Sequence, residues 1–136
     1  MLLGQGRADG CLKYLEAVSD GKADVAVARH SVHAVGSIIG RPELMSAFIT
    51  AIDRSAGLSV LETCNADELA AVLLMKRTGL DFDDALQYYA AKKAGVEAIV
   101  SFDRHFDKTD LPGAEPADAL RLAGIADADR LAKRRA

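Results

Sequence analysis

Tryptophan is missing from this 136-residue sequence, and aromatic residues together make up only 5% of it. A core built from such a chain must rest mainly on Ala, Leu, Val and Ile. Long apolar runs are missing too. The longest, Leu69 to Met75, falls far short of the roughly 20 residues that a membrane-spanning helix needs, so no membrane span is expected. The opening Met1-Leu2-Leu3-Gly4-Gln5-Gly6-Arg7 has neither the basic start nor the apolar stretch of a secretory signal. Cysteine is scarce: Cys11 and Cys64 stand far apart in no close-spaced motif, which reads as a cytoplasmic chain with two small core cysteines rather than ligands. An excess of positive charge is also lacking. The formal net charge of −3 argues against a general nucleic-acid coating protein, because phosphate binding rests on neutralisation by Lys and Arg. Any role with RNA must then be local, through a basic patch or a bound metal.

What is present suits a globular domain. Hydrophobic residues make up 50% and charged residues 27%, and the length is enough to bury one core without disulfides. Residues 1–125 are expected to form a single domain, and the basic tail 126–136, with Lys133, Arg134 and Arg135, is expected to fray.

Helical and extended patterns alternate along the chain. Leu12, Leu15 and Val18 recur at helical spacing before Asp20-Gly21, predicting a helix over about 8–20. Residues 23–27 alternate as a short strand. Val32, Val35, Ile38 and Ile39 form the stripe of a second helix stopped by Gly40, and Pro42 suits the first turn of a third. The third helix carries Leu44, Phe48, Ile49 and Ile52 as expected core residues, a stripe equally suited to a subunit interface or an antitoxin helix. Leu58 to Leu61 reads as another strand. Asn65 with Glu68 suggests a capping box for a helix stopped by Gly79. Asp81 is placed to cap the next helix, which ends at Gly95, and Ala98-Ile99-Val100 reads as a buried strand. A last strand is expected at Ala114-Glu115 and a last helix from Pro116 to about Leu122. Strands separated by helices need crossover connections, so the class is α/β with a mainly parallel sheet.

Open α/β sheets place their sites at the carboxyl ends of strands. Asp103 lies just past a strand and Asp84 near a helix start. If those two edges adjoin, paired carboxylates without a competing Lys suit magnesium, an oxygen-seeking ion that keeps several waters. Each position also has a plain structural use, since first-turn acids cap helices and an Asp after a strand makes a turn. His30 and His33 read as polar helix-start residues, His105 as facing solvent or phosphate, and Asp107 as a surface residue. Lys92, Lys93, Arg104 and Lys108 are the candidates for a local positive field.

The stretch Leu80-Asp81-Phe82-Asp83-Asp84-Ala85-Leu86-Gln87, followed by Ala98-Ile99-Val100-Ser101-Phe102-Asp103-Arg104-His105-Phe106, resembles the C-terminal half of PIN domains. That family carries an Asp-Ala-Leu helix start and then an apolar strand ending in Thr/Ser-x-Asp-x-x-Phe. The resemblance is close over about 79–116 and looser before it. It implies a three-layer α/β/α fold and a VapC-like toxin ribonuclease using Mg2+ or Mn2+. On this resemblance Asp84 and Asp103 are the third and fourth catalytic, metal-binding acids, Ser101 supports the loop and Arg104 the substrate. Asp81 is a cap and Asp83 a solvated acid. The implied partners are RNA, an antitoxin protein and a second copy in a homodimer. Two departures accompany it. The first family acid, at the end of a central strand, has no counterpart after Met1, and the second falls at Ala34. The alternative is therefore a noncatalytic relative that keeps the fold for dimerisation or for an antitoxin-like partner. A third reading is another magnesium-dependent phosphotransfer enzyme.

Overall fold

A computed structural model describes residues 5–124 apart from residue 112. The expected fraying of 126–136 and the reading of Met1 to Gly4 lie outside the described residues. The chain order is α1 (Gln5–Ser19), β1 (Val25–Ala28), α2 (Arg29–Ile39), α3 (Pro42–Arg54), β2 (Leu58–Leu61), α4 (Asn65–Thr78), α5 (Phe82–Ala94), β3 (Ile99–Val100), a 3₁₀ turn (His105–Lys108), β4 (Gly113–Ala114) and α6 (Pro116–Leu122). The α/β alternation read from the sequence is thus the observed one. No helix among the described residues is long and apolar enough to cross a membrane.

Both strand pairings are parallel, the first reached through the helices α2 and α3 and the second through a loop with a 3₁₀ turn. β1 pairs with β2 in the register Val25 to Leu58 through Ala28 to Leu61, and β3 pairs with β4, Ile99 to Gly113 and Val100 to Ala114. The sheet is divided: among the described residues these are two separate two-stranded sheets.

Local chemistry sets the helix ends. Gly40, Gly79 and Gly95 close α2, α4 and α5 with φ of 61°, 73° and 72°, a left-handed conformation that costs other residues a Cβ clash. Asp81 caps α5, its Oδ1 accepting from the Asp84 N–H at 2.9 Å. The cap of α4 lies one residue earlier than the sequence reading put it. Cys64 is the N-cap, and Asp67, not Glu68, reaches back to the Cys64 N–H at 2.8 Å. That role leaves Cys64 exposed rather than in the core, while Cys11 is half-buried.

Two apolar clusters result. The larger joins Ala71, Leu80, Ala85, Leu86, Tyr88, Ala91, Ile99, Phe106 and Leu111. Leu86 and Phe106, each 2% exposed, each contribute roughly 1.5–3 kcal/mol by burial. The smaller joins Ala17, Val18, Ala23 and Leu120 between α1, α6 and the start of β1. Leu12 and Leu15 of the predicted stripe turn outward, 61% and 60% exposed. Gly57 stitches the second cluster: its N–H donates to the Val18 carbonyl at 3.0 Å and its carbonyl accepts from Val25 at 2.7 Å. The carbonyl oxygens of Ala23 and Val18 occupy the space that a Cβ at Gly57 would need.

The expectation for α3 is corrected. None of its residues is buried; Leu44 and Ile49 are 48% and 44% exposed, and Phe48 and Ile52 are half-covered. Its contact with α2 is close, the Met45 side chain filling the space over Gly36, and α3 also touches β2, but neither neighbour covers its apolar face. Amphipathic spacing identifies a face and not what covers it.

Candidate active site

The site is built on the exit from β3. Beyond Val100 the Ser101 N–H donates to the Ala114 carbonyl at 2.9 Å, extending the strand pairing by one residue. The Ser101 hydroxyl then accepts from the Asp103 N–H at 2.9 Å, and Asp103 Oδ1 accepts from the His105 N–H at 2.9 Å. These successive side-chain-to-backbone bonds are how Ser and Asp fold a turn without ladder partners. Phe106 anchors the far end in the core, and the Arg7 guanidinium covers the Phe102 ring at 5.0 Å. The loop is therefore held at both ends and at its crest.

Helix α5 presents Asp84 to this loop from its first turn. The sequence-predicted pair does come together: His105 Nδ1 lies 3.0 Å from Asp84 Oδ2 and 3.0 Å from Asp103 Oδ2. The Asp84 side chain is 21% exposed against 47% for Asp103 and 58% for His105, so the cluster is open to solvent on the loop side. Two carboxylates brought to the same side chain supply the donor chemistry of a hard divalent cation, which is commonly held by one or two carboxylates with water and substrate phosphate. Asp84 and Asp103 fit such an ion. Among the described residues, no group of three or more His, Cys, Asp or Glu side chains is placed to hold a metal ion.

Sequence reasoning missed the bridging place of His105. Its signal was the two-residue offset from Asp103 across a turn, legible only once Asp84 is known to face that turn. His105 is solvent-facing as expected, but it is also tied to both acids. Asp81 is a cap as expected, and Asp83 is exposed. His33 is exposed on α2, and His30, partly exposed, has a buried Nδ1 with no hydrogen-bond partner among the described residues. Ala34 is exposed on the same helix.

The expected positive field is largely cancelled in place. Arg104, its side chain 91% exposed, pairs with Asp107 at 3.2 Å, Lys92 with Asp110 at 2.7 Å and Lys93 with Asp67 at 3.0 Å. Asp110 also accepts from the Tyr88 hydroxyl. Lys92 and then Tyr88 hold Asp110 below the usual carboxylate range, and the bond to Asp110 pushes Tyr88 up. Of the four cations, Lys108 makes no ion pair among the described residues.

A separate cavity of about 200 Å³ opens between β2, α4 and α5, lined by residues including Thr63, Asp67, Tyr89 and Lys93. Asp84, Asp103 and His105 are not in its wall. The chemistry favours the open cluster over this cavity, whose one buried carboxylate is already engaged by the Cys64 N–H and Lys93.

Residues 2–111 match the family model described as PIN domain. No curated protein matches the chain.

Proposed function

The chain belongs to the PIN-domain family, whose members are generally nucleases, and from that premise we propose that it is a metal-dependent ribonuclease of the toxin-like, VapC-like kind, working in the cytoplasm. The observation that carries this reading is the nearness of Asp84 and Asp103, each with an oxygen 3.0 Å from His105 Nδ1. Asp84 and Asp103 would hold the Mg2+ or Mn2+ ion. When bound, that ion orients a water and offsets the charge developing on a phosphoryl group. The chain's own part is positional. Ser101 fixes the loop so that Asp103 meets Asp84, the half-covered Asp84 is aimed by its place in the α5 cap, and Arg104 extends into solvent where it can exchange Asp107 for an RNA phosphate. Ala34 offers no donor at the place of the family's second acid, so the acids assigned from this chain are these two.

The test is incubation of the chain with structured RNA in Mg2+ or Mn2+, beside Asp84→Asn, Asp103→Asn and a chelator. Cleavage by the unaltered chain that all three controls reduce by at least 100-fold is the expected result. Cleavage untouched by both substitutions would overturn the assignment of the acids.

A second reading has its own observation. The α2 and α3 hairpin exposes Ile38 at 85%, Leu44 at 48% and Ile49 at 44%, an apolar face of the kind that meets a second copy or an antitoxin-like helix. A chain that dimerises or binds such a partner without cleaving RNA is the noncatalytic alternative. Dimerisation with no cleavage under either metal would favour it.

A further inference from the structure

Helix α4 carries apolar side chains on two opposite sides. On one side Ala71 is fully covered and Leu74 packs against the larger core cluster, where α4 meets α5. On the other, Leu69, Val72 and Leu73 share one stripe at helical contact spacing and are 68%, 42% and 62% exposed. A helix that is apolar on all sides belongs to one that is covered on all sides. Single exposed apolar residues are ordinary, but three on one stripe make a contiguous patch. The charges bounding this patch are ordered along the axis, Glu68 in the first turn and Lys76 in the last. Both are exposed, and neither makes an ion pair among the described residues.

This stripe is complementary to itself in one direction. With two copies of α4 antiparallel about a twofold axis near Val72 and Leu73, the turn carrying Glu68 and Leu69 lies level with the Lys76 turn of the other copy. Val72 then lies level with Leu73, and each Glu68 gains a Lys76, twice by symmetry. Parallel pairing would instead set Glu68 beside Glu68 and Lys76 beside Lys76. A partner helix of one charge would satisfy one end of the stripe and repel the other, whereas a second copy satisfies both.

We infer that the exposed stripe of α4, with Leu69, Val72 and Leu73 between Glu68 and Lys76, joins two copies of this chain as an antiparallel helix pair. The face is separate from the α2 and α3 hairpin, and the inference does not depend on metal binding by Asp84 and Asp103. One helix stripe is smaller than the roughly 800 Å² per partner of a standard interface, so association is weak, with a Kd on the order of 10 µM.

The experiment is sedimentation velocity on the 136-residue chain over concentrations of about 1 to 500 µM. The variants are Leu73→Ser, Glu68→Lys, Lys76→Glu, the double reversal Glu68→Lys with Lys76→Glu, and Ile38→Ser on the hairpin, with thermal melts confirming that each folds. The expected result is a dimer that Leu73→Ser weakens more than about tenfold and that Ile38→Ser leaves within about twofold. Each single reversal should weaken it about threefold or more, and the double reversal should restore it. Restoration is diagnostic, because within one copy both reversals oppose the helix dipole and their costs add. A chain that stays monomeric over the whole range overturns the inference. So does a dimer that Leu73→Ser leaves intact, and one that only Ile38→Ser disrupts assigns the interface to the hairpin instead. A double reversal weaker than either single one overturns the antiparallel pairing.

Discussion

The segment from α4 to the 3₁₀ turn and the helix α3 are both largely helical, yet they differ in how far they are covered. In the first, Ala71 and Ala85 are fully covered and Leu86 and Phe106 are 2% exposed; in the second, α3 has no buried residue at all. The candidate acids and His105 are attached to the packed segment. A site that must hold carboxylate oxygens at set distances gains from elements whose own side chains are locked by packing. The hairpin buries Val32 but keeps Ile38, Leu44 and Ile49 exposed, as a surface that meets a partner does.

The comparison breaks first at Phe106. Phe106→Ala should cost about 3–5 kcal/mol and should scatter Asp103 and His105 as well, seen as a lower urea midpoint together with lost Mn2+ binding. If the midpoint is unchanged, the packed segment does not support the site. A smaller effect is expected from pH at the edge of that segment. The Cys64 N–H and then Lys93 hold Asp67 below the usual carboxylate range, and Asp67 raises Lys93. The Asp67 contribution is complete above the unfolded value of about 3.9 and is lost as pH falls through the lowered folded value. The Lys93 contribution is complete below about 10.4 and is lost as pH rises through its raised value. Asp67→Asn should flatten both limbs of a melting-temperature profile; limbs that stay steep would assign them to other groups. The smallest effect belongs to the hairpin. Ile38→Ser, at a site 85% exposed, should change unfolding free energy by less than about 0.5 kcal/mol, while light scattering reports whether the same change shifts the oligomeric state.

Much of this contrast was legible in the residues, but unevenly. Gly40, Gly79 and Gly95, Pro42 and Asp81 mark their boundaries through local backbone chemistry, and they stand where that chemistry places them. The sequence placed Asp84 beside a helix start and Asp103 beside a strand end, and left their meeting conditional on those two edges adjoining. The rest depends on contacts distant in sequence. Period-3.6 spacing made Leu44 and Ile49 look like core because it cannot say whether a second layer exists. The same spacing put Leu12, Leu15 and Val18 on the stripe of α1; Val18 does face inward, with Ala17, whereas Leu12 and Leu15 are exposed. A one-residue shift moved the α4 cap from Asn65 and Glu68 to Cys64 and Asp67, since both pairs satisfy the same three-residue rule and burial of Asp67 decides between them. His105 depended on a neighbour 21 residues away.

The stitch at Gly57 carries a consequence for how this chain tolerates change. Val25 opens β1 and donates to the Gly57 carbonyl immediately before β2, so the starts of the two parallel strands are tied side by side. The chain leaves β1 at the far end, after Ala28, and α2 and α3 carry it back to the near end. That crossover can change its outer face while the tie keeps β1 and β2 in step, making it the natural ground for altering partner choice without rebuilding the domain. Gly57 itself has no such freedom: with two carbonyl oxygens in the space of a side chain, it is the fixed point about which that variation turns.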